Sequence, residues 1–355
     1  MKKKSIFVLV KIKPNMRIKY LLFFLLILPF YTLSAQTDPR YTLLPWLNPC
    51  INPGALGETE LHINFTGVLR QQTIPGITIK KDSSDSRPSS KGDQVLLNID
   101  SYIKQIKGAI GISFLKDNNS QQFDNIVVKL GYATRFKVRG GKLGIGVQMG
   151  FLNMTPGDNH DPFENPDPTV TNAKQSDSYL DFDMNFGIFY KAPTWYVGAS
   201  ATQLLGGVRI SGDIGVLSPL ARQLYFSGGY IWNLNTAVPW SIEPSAYIYT
   251  YLSNWTFDVM AVARYNGILW FGLSYQHNWA ISALFGAVPF YNSTNNYLRG
   301  LELGLAYGFQ INKMGYRSGG SWGDFELVAR YGFNFWKEKA LTGYGSSRHL
   351  YKNQY

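Results

Sequence analysis

From residue 58 to residue 336 the chain alternates apolar and polar side chains with period two, in segments of about ten residues set apart by clusters of Gly, Asn, Asp, Ser and Pro. Near the C-terminus Leu301, Leu303, Leu305, Tyr307, Phe309 and Ile311 fall on one face, and Glu302, Gly304, Ala306, Gly308, Gln310 and Asn312 on the other. The next segment repeats the pattern, with Phe325, Leu327, Ala329, Tyr331, Phe333 and Phe335 against Glu326, Val328, Arg330, Gly332 and Asn334. Upstream, Ile63, Phe65 and Leu69 oppose His62, Asn64, Thr66 and Arg70, and Phe182, Met184, Phe186 and Ile188 oppose Asp181, Asp183, Asn185 and Gly187. Strands are expected at 58–72, 93–103, 108–116, 125–138, 141–152, 177–191, 195–203, 222–233, 240–251, 253–265, 267–276, 279–288, 299–312 and 322–336.

That count, about 14, is even, as bacterial outer-membrane barrels require. The fold class expected is all-β, an antiparallel transmembrane β-barrel. Closure satisfies every backbone donor and acceptor within hydrocarbon, which an open sheet cannot do. The competing architecture is a secreted β-sandwich whose greasy faces meet each other. Segments of ten or more residues, with glycines on the polar face, argue against it, because strands in globular proteins are commonly about 5–6 residues. Aromatics near segment ends, among them Trp195, Tyr230, Trp232, Tyr249, Trp255, Trp270, Trp322 and Trp336, are expected to form interfacial girdles.

Composition sharpens this picture. Only 16% of residues are charged while 45% are hydrophobic, and there are 35 glycines, so many side chains face something other than water. The single cysteine, Cys50, excludes an intrachain disulfide framework and a Cys-clustered metal site. Lys2, Lys3, Lys4, Lys11, Lys13, Arg17 and Lys19 precede an apolar run from Tyr20 to Leu33 that ends in Ser34-Ala35. Residues 1–35 therefore read as a secretory signal peptide, with Met1 or Met16 as the start. Its removal lowers the net charge from +11 to +4, so the basic balance is no argument for nucleic acid.

Residues 79–95, rich in Ser, Asp and Lys, and 153–178, with Asp158, Asp161, Glu164, Asp167 and Asp177 among four prolines, are expected to be polar loops. The acidic one has no EF-hand spacing, and a solvated loop is the simpler reading. The four histidines, His62, His160, His277 and His349, are scattered without metal-ligand spacing, and no Gly-x-Ser-x-Gly elbow occurs. His277 near Ser274 and Ser282 is the nearest approach to a hydrolase pair, but His277-Asn278 reads as a tight turn. Gly140, Gly141, Gly144 and Gly146 read as a turn followed by small residues on the crowded face of a strand. No catalytic residue, cofactor or metal is expected. Arg135, Asp181, Asp183, Glu243, Asp258, Arg264, Glu302, Glu326 and Arg330 are expected to face the lumen, where they would either pair and seal it or line an aqueous pore.

Residues Leu47-Asn48-Pro49-Cys50-Ile51-Asn52-Pro53-Gly54-Ala55-Leu56-Gly57, followed by Arg70-Gln71-Gln72, resemble the opening of the PorP/SprF family of Bacteroidetes outer-membrane proteins. Glu243-Pro244-Ser245, the run from Trp270 to Gln276, the final strand from Gly320 to Phe335 and Ser347-Arg348-His349-Leu350 add to the likeness. The resemblance implies a non-enzymatic barrel of the type IX secretion system, embedded in outer-membrane lipid. Its implied partners are periplasmic ring or peptidoglycan-binding subunits and a secreted cargo such as a gliding adhesin. Asn48, Pro49, Asn52, Pro53, Gly57, Arg70, Gln71, Gln72 and Arg348 are its motif residues and candidate contacts. The Asn-Pro pairs read equally well as rigid turns leading into the first strand. Four basic residues against Glu338 give the tail from Lys337 to Tyr355 a positive charge suited to an acidic periplasmic partner. A passive channel or hydrophobic-substrate transporter is the alternative; it requires an open lumen or an internal apolar pocket.

Overall fold

The computed structural model describes residues 40–59, 63–71, 93–118, 123–156, 178–206, 208–211, 222–234, 239–251, 254–293, 298, 300–311 and 323–333. The expected signal peptide, the acidic stretch 157–177, residues 79–92 and the C-terminal tail lie outside them.

The sheet is built from β1 (Ile63–Gln71), β2 (Asp93–Ile103), β3 (Gly108–Asn118), β4 (Phe123–Val138), β5 (Gly141–Pro156), β6 (Tyr179–Lys191), β7 (Trp195–Thr202) and β8 (Val208–Ser211). It continues with β9 (Gln223–Tyr230), β10 (Trp232–Leu234), β11 (Trp240–Tyr251), β12 (Asn254–Tyr265), β13 (Leu269–Gln276), β14 (Ala280–Ala287), β15 (Leu301–Gln310) and β16 (Gly323–Phe333). β7 and β8 both pair with β6 and make one interrupted wall strand, as β9 and β10 do against β11. Fourteen wall strands result, every pairing is antiparallel, and β1 pairs with β16 from Ile63↔Phe333 to Gln71↔Phe325 to close the ring. No helix among the described residues is long and apolar enough to cross a membrane; the strands do so.

Burial alternates along each strand as the sequence alternates. Leu130 (64% exposed), Leu273 (66%), Phe285 (56%) and Phe309 (55%) all point away from the barrel. A continuous apolar belt of this extent would not persist against water, whereas hydrocarbon is its matched solvent. The sandwich is thereby excluded, since its greasy faces would cover one another.

β1 and β16 meet at one end of the barrel, where Ile63 begins and Phe333 ends; short turns such as Arg139-Gly140 and Asn266–Ile268 lie there too. We call this the turn end. The opposite end, at Gln71 and Asp93, receives the long connections and is the loop end.

Three expectations are corrected. Residues 153–156, expected in a loop, belong to a strand, where Met154 is a fully buried inward residue in register with Tyr179. Residues 93–95, which the expected strand 93–103 and the expected loop 79–95 both included, are in the strand, with Gln94 an inward partner of Arg70. β1 begins at Ile63, because Glu58 and Thr59 are in a turn closed by the Glu58 N–H donating to Ala55 O (2.9 Å). Tyr249 and Trp270 do not join an aromatic girdle but point inward and are buried, because the lumen holds an apolar segment for them to pack on. Trp195, Tyr230, Trp232 and Trp255 do face outward.

Candidate functional site

The segment Arg40–Thr59 occupies the lumen. Every residue in it except Cys50 and Ile51 is buried. It descends from the loop end to the turn end and then enters β1. Proline rigidifies it three times: Leu44–Trp46 and Pro53–Ala55 are single 3-10 turns, and Asn48–Ile51 is one α-helical turn, α1. Each proline falls in the first turn, where its missing N–H costs nothing and its fixed φ favours the turn. Asn52 caps the last of these, its Oδ1 accepting from the Gly54 N–H at 2.9 Å.

On the side formed by β12, β13 and β16 the segment is held by charge and aromatic packing. Arg40 pairs with Asp258 and donates to His277 O at 3.1 Å. Both Glu326 oxygens accept from the segment, from the N–H groups of Thr42 (2.8 Å) and Leu43 (2.9 Å), while Gln276 donates to Tyr41 O (3.1 Å). Trp46 stacks on Trp270 with ring centres 4.6 Å apart. These carboxylates are satisfied by formal charge or by backbone N–H groups, as burial demands.

On the side formed by β4 to β7 the hydrogen bonds between segment and wall end on main-chain carbonyls, and glycines let the main chains approach. The Asn52 amide donates to the Ile188 (3.0 Å) and Ala199 (3.3 Å) carbonyls, and Ser200 Oγ donates to Ile51 O (2.8 Å). Gly144, Gly146 and Gly187 face the segment without side chains. A Cβ on the first two would strike the Gly54 and Pro53 carbonyl oxygens, and one on Gly187 would strike Asn52 Oδ1. The crowded face expected from the glycine run is thus crowded by the chain's own N-terminal segment. Arg135 of β4 gathers the end of the last turn, donating to Leu56 O (2.8 and 3.0 Å) and Ala55 O (3.1 Å). Gly57, at φ +64°, then reverses the chain; its N–H donates to Asp100 at 2.8 Å, and a Cβ there would meet that of Ala109. At the turn end Glu58 lies 3.5 Å from Lys191 and 3.8 Å from Arg330.

The motif residues separate accordingly. Asn48 accepts from the Tyr247 hydroxyl (2.9 Å), and Asn48, Pro49, Asn52, Pro53 and Gly57 are all inside the barrel. Arg70 points inward from β1 to Asp324 (2.8 Å) and Gln94 (3.3 Å); Gln71 ends β1, half-buried, opposite Asp93 and Phe325. Gln72 and Arg348 lie outside the described residues. All nine charged residues expected in the lumen are buried, and Arg264 bridges Glu243 and Glu302 at 3.1 Å each. Of the two outcomes for these charges, pairing is the one realised for this triad. Ser274 and Ser282 face the lumen, whereas the His277 ring stacks on outward-facing Phe257, 4.7 Å between centres, so no histidine–serine pair forms. Sequence reasoning did not single out Arg40, Trp46 or the receiving role of Glu326; nothing in a linear pattern links residues 218 to 284 positions apart. Among the described residues no His, Cys, Asp or Glu group could hold a metal ion.

The model of the type IX secretion system membrane protein family PorP/SprF matches residues 33–331. The chain belongs to that family. PorP/SprF membership together with the closed barrel makes it an integral outer-membrane protein of the type IX secretion system, in a family of secretion proteins and not a class of enzymes. No functionally curated relative matches in sequence. Solved barrels are similar in architecture alone. The Ralstonia pickettii toluene transporter TbuX is 11% identical, with 85% of this chain and 96% of that one covered and a TM-score of 0.46. Acinetobacter baumannii Omp33 is 8% identical over 78% and 99% (TM-score 0.42), and the P. putida toluene transporter TodX is 10% identical over 80% and 92% (TM-score 0.42).

Proposed function

We propose that this PorP/SprF protein is a closed docking component, which holds secretion machinery and one secreted or gliding adhesin at the outer membrane and does not conduct cargo through its own lumen. The filled lumen carries this reading. A covalently attached segment, ion-paired to one wall and in backbone contact with the other, leaves no passage for a polypeptide, so the exposed ends remain as working surfaces. With the turn end toward the periplasm, as in other outer-membrane barrels, the basic tail from Lys337 faces ring or peptidoglycan-binding subunits, and the long connections face cargo. Residues 1–35 serve as the export signal.

Affinity capture of the tagged protein from mild-detergent outer membranes of its host, followed by mass spectrometry, tests this. Recovery of periplasmic ring subunits, a peptidoglycan-binding lipoprotein or one large secreted adhesin supports docking. Recovery of the barrel alone, together with steady single-channel conductance in planar bilayers, overturns it.

A hydrophobic-substrate transporter is the second reading, favoured by one observation: a largely apolar cavity lies between the segment and the wall. It requires the segment to move. A cross-link fixing Arg40–Thr59 to the barrel would abolish uptake under this reading and leave docking intact.

A further inference from the structure

The space above α1 has a chemistry that neither docking nor barrel stability uses. It is mostly apolar and partly open to solvent. Cys50 and Ile51 form its floor, and Leu44, Leu96, Leu115 and Val127 supply aliphatic wall. Leu96 and Val127 lie in the parts of β2 and β4 nearest the loop end, so the cavity sits on that side of the segment. Two hydrogen-bond donors line this apolar space without partners among the described residues. The Tyr41 hydroxyl is buried and makes no hydrogen bond, and the Lys129 ammonium has no ion pair; Arg40, the other cation there, is committed to Asp258. Tyr41 and Lys129 both line this cavity, together with Cys50.

The buried Tyr41 hydroxyl is costly to leave unpaired, and an anion that accepts from it while pairing with the half-buried Lys129 removes that cost. One ammonium and one hydroxyl match a singly charged carboxylate; no free guanidinium fork is present for a phosphate. The aliphatic wall matches an alkyl tail. We propose that this cavity binds a single-chain carboxylate amphiphile, with its tail against Leu44, Leu96, Leu115 and Val127 and its head on Lys129 Nζ and Tyr41 Oη.

The test is equilibrium binding of radiolabelled decanoate, and separately of decanol, to the whole barrel in non-ionic detergent, with heat-modifiable gel migration to verify folding. Decanoate should bind saturably, one per barrel. Lys129→Met should weaken decanoate about tenfold and leave decanol unchanged, and Leu115→Trp should abolish binding of both. If Leu115→Trp fails to fold, Val127→Phe takes its place. Uptake no greater than that of empty micelles overturns the proposal. So does saturable binding that neither substitution alters, or an equal loss of decanoate and decanol in Lys129→Met.

Discussion

The two sides of the lumen hold the same segment by different physics. Toward β12, β13 and β16 long wall side chains hold it, through one ion pair, bonds to its backbone and stacked rings. Toward β4 to β7 bare glycines lie against its backbone, and the Asn52, Ser200 and Arg135 side chains donate only to main-chain carbonyls. Side-chain pairs can be exchanged for others of similar volume, because the wall need only be complementary in charge and shape. Backbone contact has no such freedom: the only side chain that fits between two touching main chains is a hydrogen atom. One side therefore tolerates redesign as a pair, and the other tolerates almost no change.

The largest effect should come from halving a pair. Asp258→Ala leaves Arg40 buried without its counter-ion and should cost about 3–5 kcal/mol in urea unfolding from micelles. Adding Arg40→Met to that variant should restore most of the loss; no restoration would mean that the charged side is as unforgiving as the glycine side.

Gly144→Val should cost about 1–3 kcal/mol and, because the segment must shift away from β5, should turn a silent barrel into one with measurable conductance in planar bilayers. A silent and fully stable variant would remove the glycine side from the comparison. Asn52→Ala loses the cap of one turn and two bonds to wall carbonyls, and a loss of about 1–2 kcal/mol is expected in the same unfolding measurement.

The smallest effect concerns Cys50, between the two sides. Loss of hydration pushes its thiol from the ordinary 9.0 up to about 12. The folded state then holds its proton where the unfolded chain does not. Stability is unaffected below about pH 9 and falls as pH rises toward 12. Subtracting the pH profile of Cys50→Ala from that of the unmodified barrel isolates this slope. Alkylation by iodoacetamide at pH 8 should likewise be much slower folded than in urea, since the thiolate is the nucleophile.

Much of the wall was legible because a barrel strand needs only local alternation. Leu301 to Ile311 names its lipid face by itself, and all nine lumenal charges were assigned from period two alone. Trp270 and Tyr249 show the limit of that reasoning. Their positions near strand ends suggested the membrane interface, yet their phase in the alternation, opposite to Phe271 and Ile248, already pointed inward; what they would meet there was not visible. The Asn-Pro pairs were legible as rigid turns, and the glycines of β5 as a crowded face, but nothing in the sequence joined the two.

The sequence by itself determined the strands, their lipid and lumenal faces, the approximate strand count and the family, because each rests on neighbouring residues or on a contiguous motif. Tertiary structure alone decided that the lumen is filled, that the residues around the Asn-Pro motif fill it, and that an apolar cavity with two unpartnered donors remains above them. Those facts depend on contacts between residues hundreds of positions apart, such as Arg40 with Asp258 and Thr42 with Glu326, and only closure of the ring brings such residues within hydrogen-bonding distance.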